Sequence, residues 1–192
     1  MTKDEMKKAV CQAIDEAAET IHETVLQIES EPELGYKETK TASKVESYMK
    51  ELGLMPQTGL ALTGVKARVD GGKKGPVVAV LAELDAVGTP DSPKADPLTG
   101  AAHTCGHFLQ MASMLAACTG IVKSGVMEEL SGSAVFFAVP AEEYVEIDYR
   151  KRLVKEGKIH FLGGKSELVY EGHFDDIDMA MMMHSQGNAP EK

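Results

Sequence analysis

Apolar side chains at Met6, Val10, Ile14, Ala17, Ile21, Val25 and Ile28 recur at steps of three and four. That is the period of one helix face, and it predicts a single amphipathic helix over 3–29. Pro32 and Gly35 stop it, because Pro lacks the amide donor and Gly permits a turn. A second helix is predicted over 38–52, with Ala42, Val45, Met49 and Leu52 on one face and Gly53 at its C-terminal cap. The period then changes. Val65, Ala67 and Val69 alternate with Lys66, Arg68 and Asp70, the mark of a half-exposed strand. After the turn Gly71–Gly75, Val77–Ala82 is continuously apolar, as expected of a strand buried on both faces. Ala134–Val139 reads the same way. Between them lie a Pro- and Asp-rich loop, Thr89–Gly100, and an apolar helix from His107 to about Val122. Residues 144–172 are the least regular. A helix is expected over Tyr149–Glu156, a break at Gly163-Gly164 and a short helix over Ser166–Tyr170. Phe174–Ile177 leads into a third strand, Met179–Met183. Strands alternating with helices predict a layered α/β sheet.

Composition narrows the setting. The 192 residues suit one domain or a little more, and 43% hydrophobic content suffices for a core. A formal charge of −10 argues against nucleic acid and anionic membranes as partners. Three cysteines cannot all pair, which points to a reducing compartment and a cytoplasmic protein. The charged N-terminus lacks the apolar stretch of a signal peptide, and no apolar run has the length of a membrane span.

The candidate chemistry gathers where strands end. Val77–Ala82 runs out into Glu83-Leu84-Asp85, Ala134–Val139 into Pro140-Ala141-Glu142-Glu143, and Met179–Met183 into His184. Cys105 and His107 open the apolar helix. In open α/β sheets, sites form at the carboxyl ends of strands. Cys, His and Glu converging there are what a metal centre needs. Taken singly, each has a plainer reading. A free Cys is usually a small buried hydrophobe, adjacent acids are usually a solvated face, and Asp85 could cap the next segment or orient a ligand. Cys11 and Cys118 read as core thiols and His22 as exposed. His103 is ambiguous, and His160 and His173 receive no role.

Five blocks together resemble the M-twenty metallopeptidase family, on its amidohydrolase branch of aminobenzoyl-glutamate, N-acyl amino acid and auxin-conjugate hydrolases. They are Pro32-Glu33-Leu34-Gly35-Tyr36, Glu83-Leu84-Asp85-Ala86, His103-Thr104-Cys105-Gly106-His107, Pro140-Ala141-Glu142-Glu143 and His184, in the family's order. The resemblance implies a three-layer α/β/α sheet of zinc-exopeptidase type and two divalent metal ions, zinc or manganese. It implies Cys105, His107, Glu143 and His184 as ligands, Glu142 as general base, and Asp85 as the aspartate between the metal-site strands. Phe108, where an Asp or Asn is common, and the long stretch 144–172 depart from the family pattern.

What the resemblance implies for function is hydrolysis of an amide bond in an N-acyl amino acid or dipeptide-like substrate. Family members are about twice as long. They insert a lid (dimerisation) domain after the equivalent of His184 and return with a last metal-binding His. Residues 1–192 are accordingly read as the N-terminal part of a catalytic domain, of an enzyme that is a homodimer when complete. A complementing C-terminal chain is a further partner to expect. The rival readings are an inactive remnant, a module that binds only a metal or partner, and a single-metal aminopeptidase-like enzyme.

Overall fold

A computed structural model describes residues 1–185. Its centre is a five-stranded sheet with the order β1–β2–β6–β3–β7. The strands are β1 (Gln57–Leu60), β2 (Gly64–Asp70), β3 (Lys73–Glu83), β6 (Ser131–Val139) and β7 (Met179–Met182). β3 runs parallel to both β6 and β7, whereas β1 and β2 complete the other side antiparallel. A two-residue ladder, β4 (Val87–Gly88) with β5 (Ala101–Ala102), closes the loop after β3.

Alternation along β6 sorts the core into two halves, because successive side chains point to opposite faces. Phe136 and Ala138 enter one cluster with Ile21, Val25, Ile28, Val45, Met49, Met111, Met114 and Leu115. These come from α2 (Ala18–Ser30), α3 (Thr39–Glu51) and α4 (His107–Ser124). Val135, Phe137 and Val139 enter the other, with Leu153 of α5 (Ile147–Lys155) and Leu168 of α6 (Gly164–Tyr170). Helices therefore cover both faces, giving the three-layer α/β/α arrangement expected.

Three details differ from the sequence reading. The first helix is two: α1 (Lys3–Glu16) ends at Ala17, which leaves helical geometry at φ −103° and ψ 2°, and α2 starts afresh. No Pro or Gly marks the break. Cys11 is exposed, on the outer side of α1, and only Cys118 is a core thiol. β7 is an edge strand whose four residues are all exposed. Beside it, Val78, Val80, Ala116, Ala117, Phe136 and Met183 help line an apolar groove of about 590 Å³.

Candidate metal centre

The parallel direction of β3, β6 and β7 brings the three strand-end blocks to one side of the sheet. His107, the first residue of α4, is placed against them by Gly106. That glycine adopts φ +87°, a left-handed conformation that costs other residues about 1–2 kcal/mol, and a Cβ there would strike the Ser185 hydroxyl. The turn lets Cys105 and His107, on either side of it, face the same space.

His107 is fully buried. Its Nδ1 lies 2.7 Å from the carbonyl oxygen of Asp85 and 3.3 Å from Asp85 Oδ1. Nδ1–H donates to that carbonyl, which fixes the ring and leaves Nε2 facing the site. Nε2 has no hydrogen-bond partner of good geometry, although Glu83 Oε2 stands 3.0 Å away, Glu143 Oε1 3.8 Å and Glu142 Oε2 3.9 Å. Burial disfavours charge on the ring, but Asp85 and Glu83 outweigh it and lift the His107 pKa to about 11. Four carboxylates around one buried imidazole attract a cation strongly.

The donors fall into two overlapping groups. Cys105, His107 and His184 offer ligand atoms within 4.8 Å of one another, and so do Glu83, His107 and Glu142. Cys105 Sγ is 3.4 Å from His184 Nε2. Burial, and then Glu143, raise the thiol pKa, so the thiolate needs a cation to form. Glu143 stands beside both groups, near His107 Nε2 and against the Cys105 thiol. Soft thiolate, imidazole and carboxylate donors suit a divalent metal of the zinc class. The orphaned Nε2 of His107 is the atom such an ion would satisfy.

Asp85 stands behind these donors. Fully buried, it accepts the Glu143 amide through Oδ2 at 2.9 Å and touches His107 with Oδ1 and its carbonyl, so it orients both. Glu142 is partly exposed, and burial and then the Glu83 charge raise its pKa. His103 stays outside: its ring packs on Phe108 with 5.8 Å between centroids, neither nitrogen is hydrogen-bonded, and burial lowers its pKa to about 4.

Sequence reasoning passed over Glu83 as a site residue. Its carboxylate is buried, accepts from Gln110 Nε2 at 2.8 Å and pairs with Lys165. Burial opposes its charge, but His107, Lys165 and Gln110 hold its pKa at about 2. The signal was present, since Glu83 and Asp85 are two apart at a strand end and so share a direction. For Lys165, in the irregular stretch, there was none.

A sheet with parallel central strands that ends in thiol, imidazole and carboxylate donors presents a candidate metal site on an α/β protein. No family model matches the chain. The protein YhaA of Bacillus subtilis is 28% identical over 193 residues, 99% of this chain and 44% of YhaA. The N-acyl-L-amino acid amidohydrolase of Geobacillus stearothermophilus is 28% identical over 96% of this chain and 45% of its own length. The crystal structure of the Bacillus subtilis YXEP protein, a dinuclear metal binding peptidase from the M-twenty family, matches with a TM-score of 0.70 at 24% identity. That match covers 89% of this chain and 44% of YXEP, and it speaks for the fold. The chain is thus similar in sequence to amidohydrolases and in fold to a peptidase of the M-twenty family. It spans less than half the length of the curated relatives it matches.

Proposed function

We propose that residues 1–192 form the N-terminal part of a metal-dependent amidohydrolase that splits the amide bond of an N-acyl amino acid or small peptide-like substrate. The single observation that carries this reading is the buried Nε2 of His107, without a hydrogen bond and ringed by Cys105, His184, Glu83, Glu142 and Glu143. Cys105, His107, Glu143 and His184 would hold two divalent ions, zinc or manganese, with Glu83 close enough to share in the site. When bound, the metal supplies Lewis acidity at the scissile carbonyl and a water acidified to a pKa of about 7. Glu142 takes the proton from the attacking water and delivers it to the departing amine. Asp85 keeps the His107 ring and the Glu143 backbone in register. The N-acyl-amino-acid substrate class is supported by the Geobacillus relative's name, and a cytoplasmic location by three free thiols.

The half-domain reading adds that this chain alone holds metal weakly and turns over no acyl-amino acid. It needs a C-terminal part, covalent or separate, and we take the complete enzyme to be a homodimer. The test uses the complete protein. Glu142→Gln is expected to keep its metal and lose about 10²–10⁴ in rate, whereas Glu143→Gln loses metal itself, as read by metal analysis. Equal metal loss in both variants, with activity falling in proportion, would overturn the division of roles. Two metals and ordinary turnover on purified 1–192 would overturn the half-domain reading.

A further inference from the structure

One block the proposed chemistry leaves unused is the turn Pro32–Tyr36 and the Glu38 that follows it. Glu38 is completely buried. Its Oε2 accepts the Thr63 hydroxyl at 2.6 Å, and its Oε1 accepts the Ala141 amide at 2.7 Å. Ala141 is the residue before Glu142, and its φ is +51°. A left-handed alanine costs about 1–2 kcal/mol and persists only where its surroundings dictate it. The same residue is held from its other end. Arg150 of α5, also completely buried, donates Nη1–H to the Ala141 carbonyl at 3.3 Å and to the Leu162 carbonyl at 2.7 Å, and Nη2–H to the Glu143 carbonyl. Its guanidinium lies 5.4 Å from the Tyr36 ring centroid and 5.9 Å from that of Tyr144. Gly35 leaves room for it: a Cβ there would collide with the guanidinium and stand 2.9 Å from Ala141 Cα.

We infer that Glu38 and Arg150 are positioning residues that clamp Ala141 in its left-handed turn and thereby aim the Glu142–Glu143 pair at His107. A strand leaving the sheet would alternate its side chains, sending Glu142 and Glu143 to opposite faces. The turn at Ala141 breaks that alternation, and both carboxylates end within 4 Å of His107 Nε2. Glu38 fixes the amide and Arg150 the carbonyl on either side of the turn, so both are needed. Arg150 belongs to the long stretch 144–172, which gives that stretch a task at the site. The inference rests on the proposed metal site for its consequence, but not for the clamp itself.

The test is made on chain 1–192 labelled with ¹³C and ¹⁵N. The Cα and Cβ shifts of Ala141 report its left-handed conformation, and a Co²⁺ titration reports the donors. Wild type and Glu38→Gln, which keeps an acceptor for the Ala141 amide, are expected to show the left-handed shifts. Glu38→Leu and Arg150→Met are expected to lose them, and to bind Co²⁺ at least tenfold more weakly than wild type, well below their unfolding midpoints. Arg150→Lys, which keeps the charge but not the fork, serves if Arg150→Met does not fold, with the same loss expected. Unchanged Ala141 shifts in Glu38→Leu and Arg150→Lys overturn the clamp, and moved shifts with unchanged Co²⁺ affinity overturn its part in aiming the donors. Altered shifts in a chain whose wild type binds no Co²⁺ support the clamp alone; the metal reading is then tested on the complete protein, where absence of bound Co²⁺ overturns it.

Discussion

Glu38 shows how much one residue can carry without touching the chemistry. Burial, and then the charge of Asp85, raise its pKa to about 7 from an ordinary value of 4.5. The folded protein therefore holds a proton that the unfolded chain releases above about pH 4.5. Stability from this group is fully present below that pH and is lost as pH rises to 7, by about 3 kcal/mol. Glu38→Gln carries no charge to bury. Denaturant midpoints should coincide for the two proteins near pH 4.5 and diverge in the variant's favour by pH 8. A constant difference between them would show that Glu38 does not titrate in this range. Sequence patterning pointed to Cys105, His107, Glu142, Glu143 and His184 because they punctuate apolar runs. It gave no hint of Arg150 or Lys165, whose side chains meet the site only through tertiary folding of an irregular stretch. Glu38 lay beside a recognised block, but burial of a lone carboxylate is invisible without its partners Thr63 and Ala141.

Among the elements, the runs with a clear period were the legible ones. β3, β6 and α4 stand where apolar continuity put them. The break at Ala17 was not legible, because apolar spacing continues across it while the backbone turns. β1 escaped notice because its four residues carry almost no apolar signal. The strands are unequal in what they support. Phe137 on β6 is completely buried and stacks on Phe174 with 5.2 Å between centroids. Met179 on β7 is 55% exposed. Phe137→Ala should cost about 3–5 kcal/mol, as cavity-forming substitutions do, and Met179→Ala less than about 0.5 kcal/mol. Equal costs by chemical denaturation would mean that β7 is buried in solution, against another copy or another part of the sheet.

At the scale of the molecule, the surface is uneven. Met179, Met181 and Met182 on β7 and Met183 just after it are exposed, and the apolar groove lies beside them. An unprotected edge with apolar side chains invites pairing with another chain. Purified 1–192 should self-associate as its concentration rises, despite a net charge of −10 that opposes contact. Met181→Lys together with Met183→Lys should restore the monomer in sedimentation equilibrium. A wild-type chain that stays monomeric at high concentration would show that this face does not drive association.

The place of β7 also sets an order of events. Its register joins Val78 to Met179 and Leu81 to Met182, partners about a hundred residues apart in the chain. β3 and β6 meet across a far shorter span and gain neighbours on both sides, whereas β7 gains only β3. Closing the longest loop for a single short ladder comes last on entropic grounds. His184, two residues beyond β7, is therefore the last of the proposed ligands of this chain to reach its place. If the proposed site holds, the arrival of His184 beside Cys105 and His107 is a clock for the last step of folding.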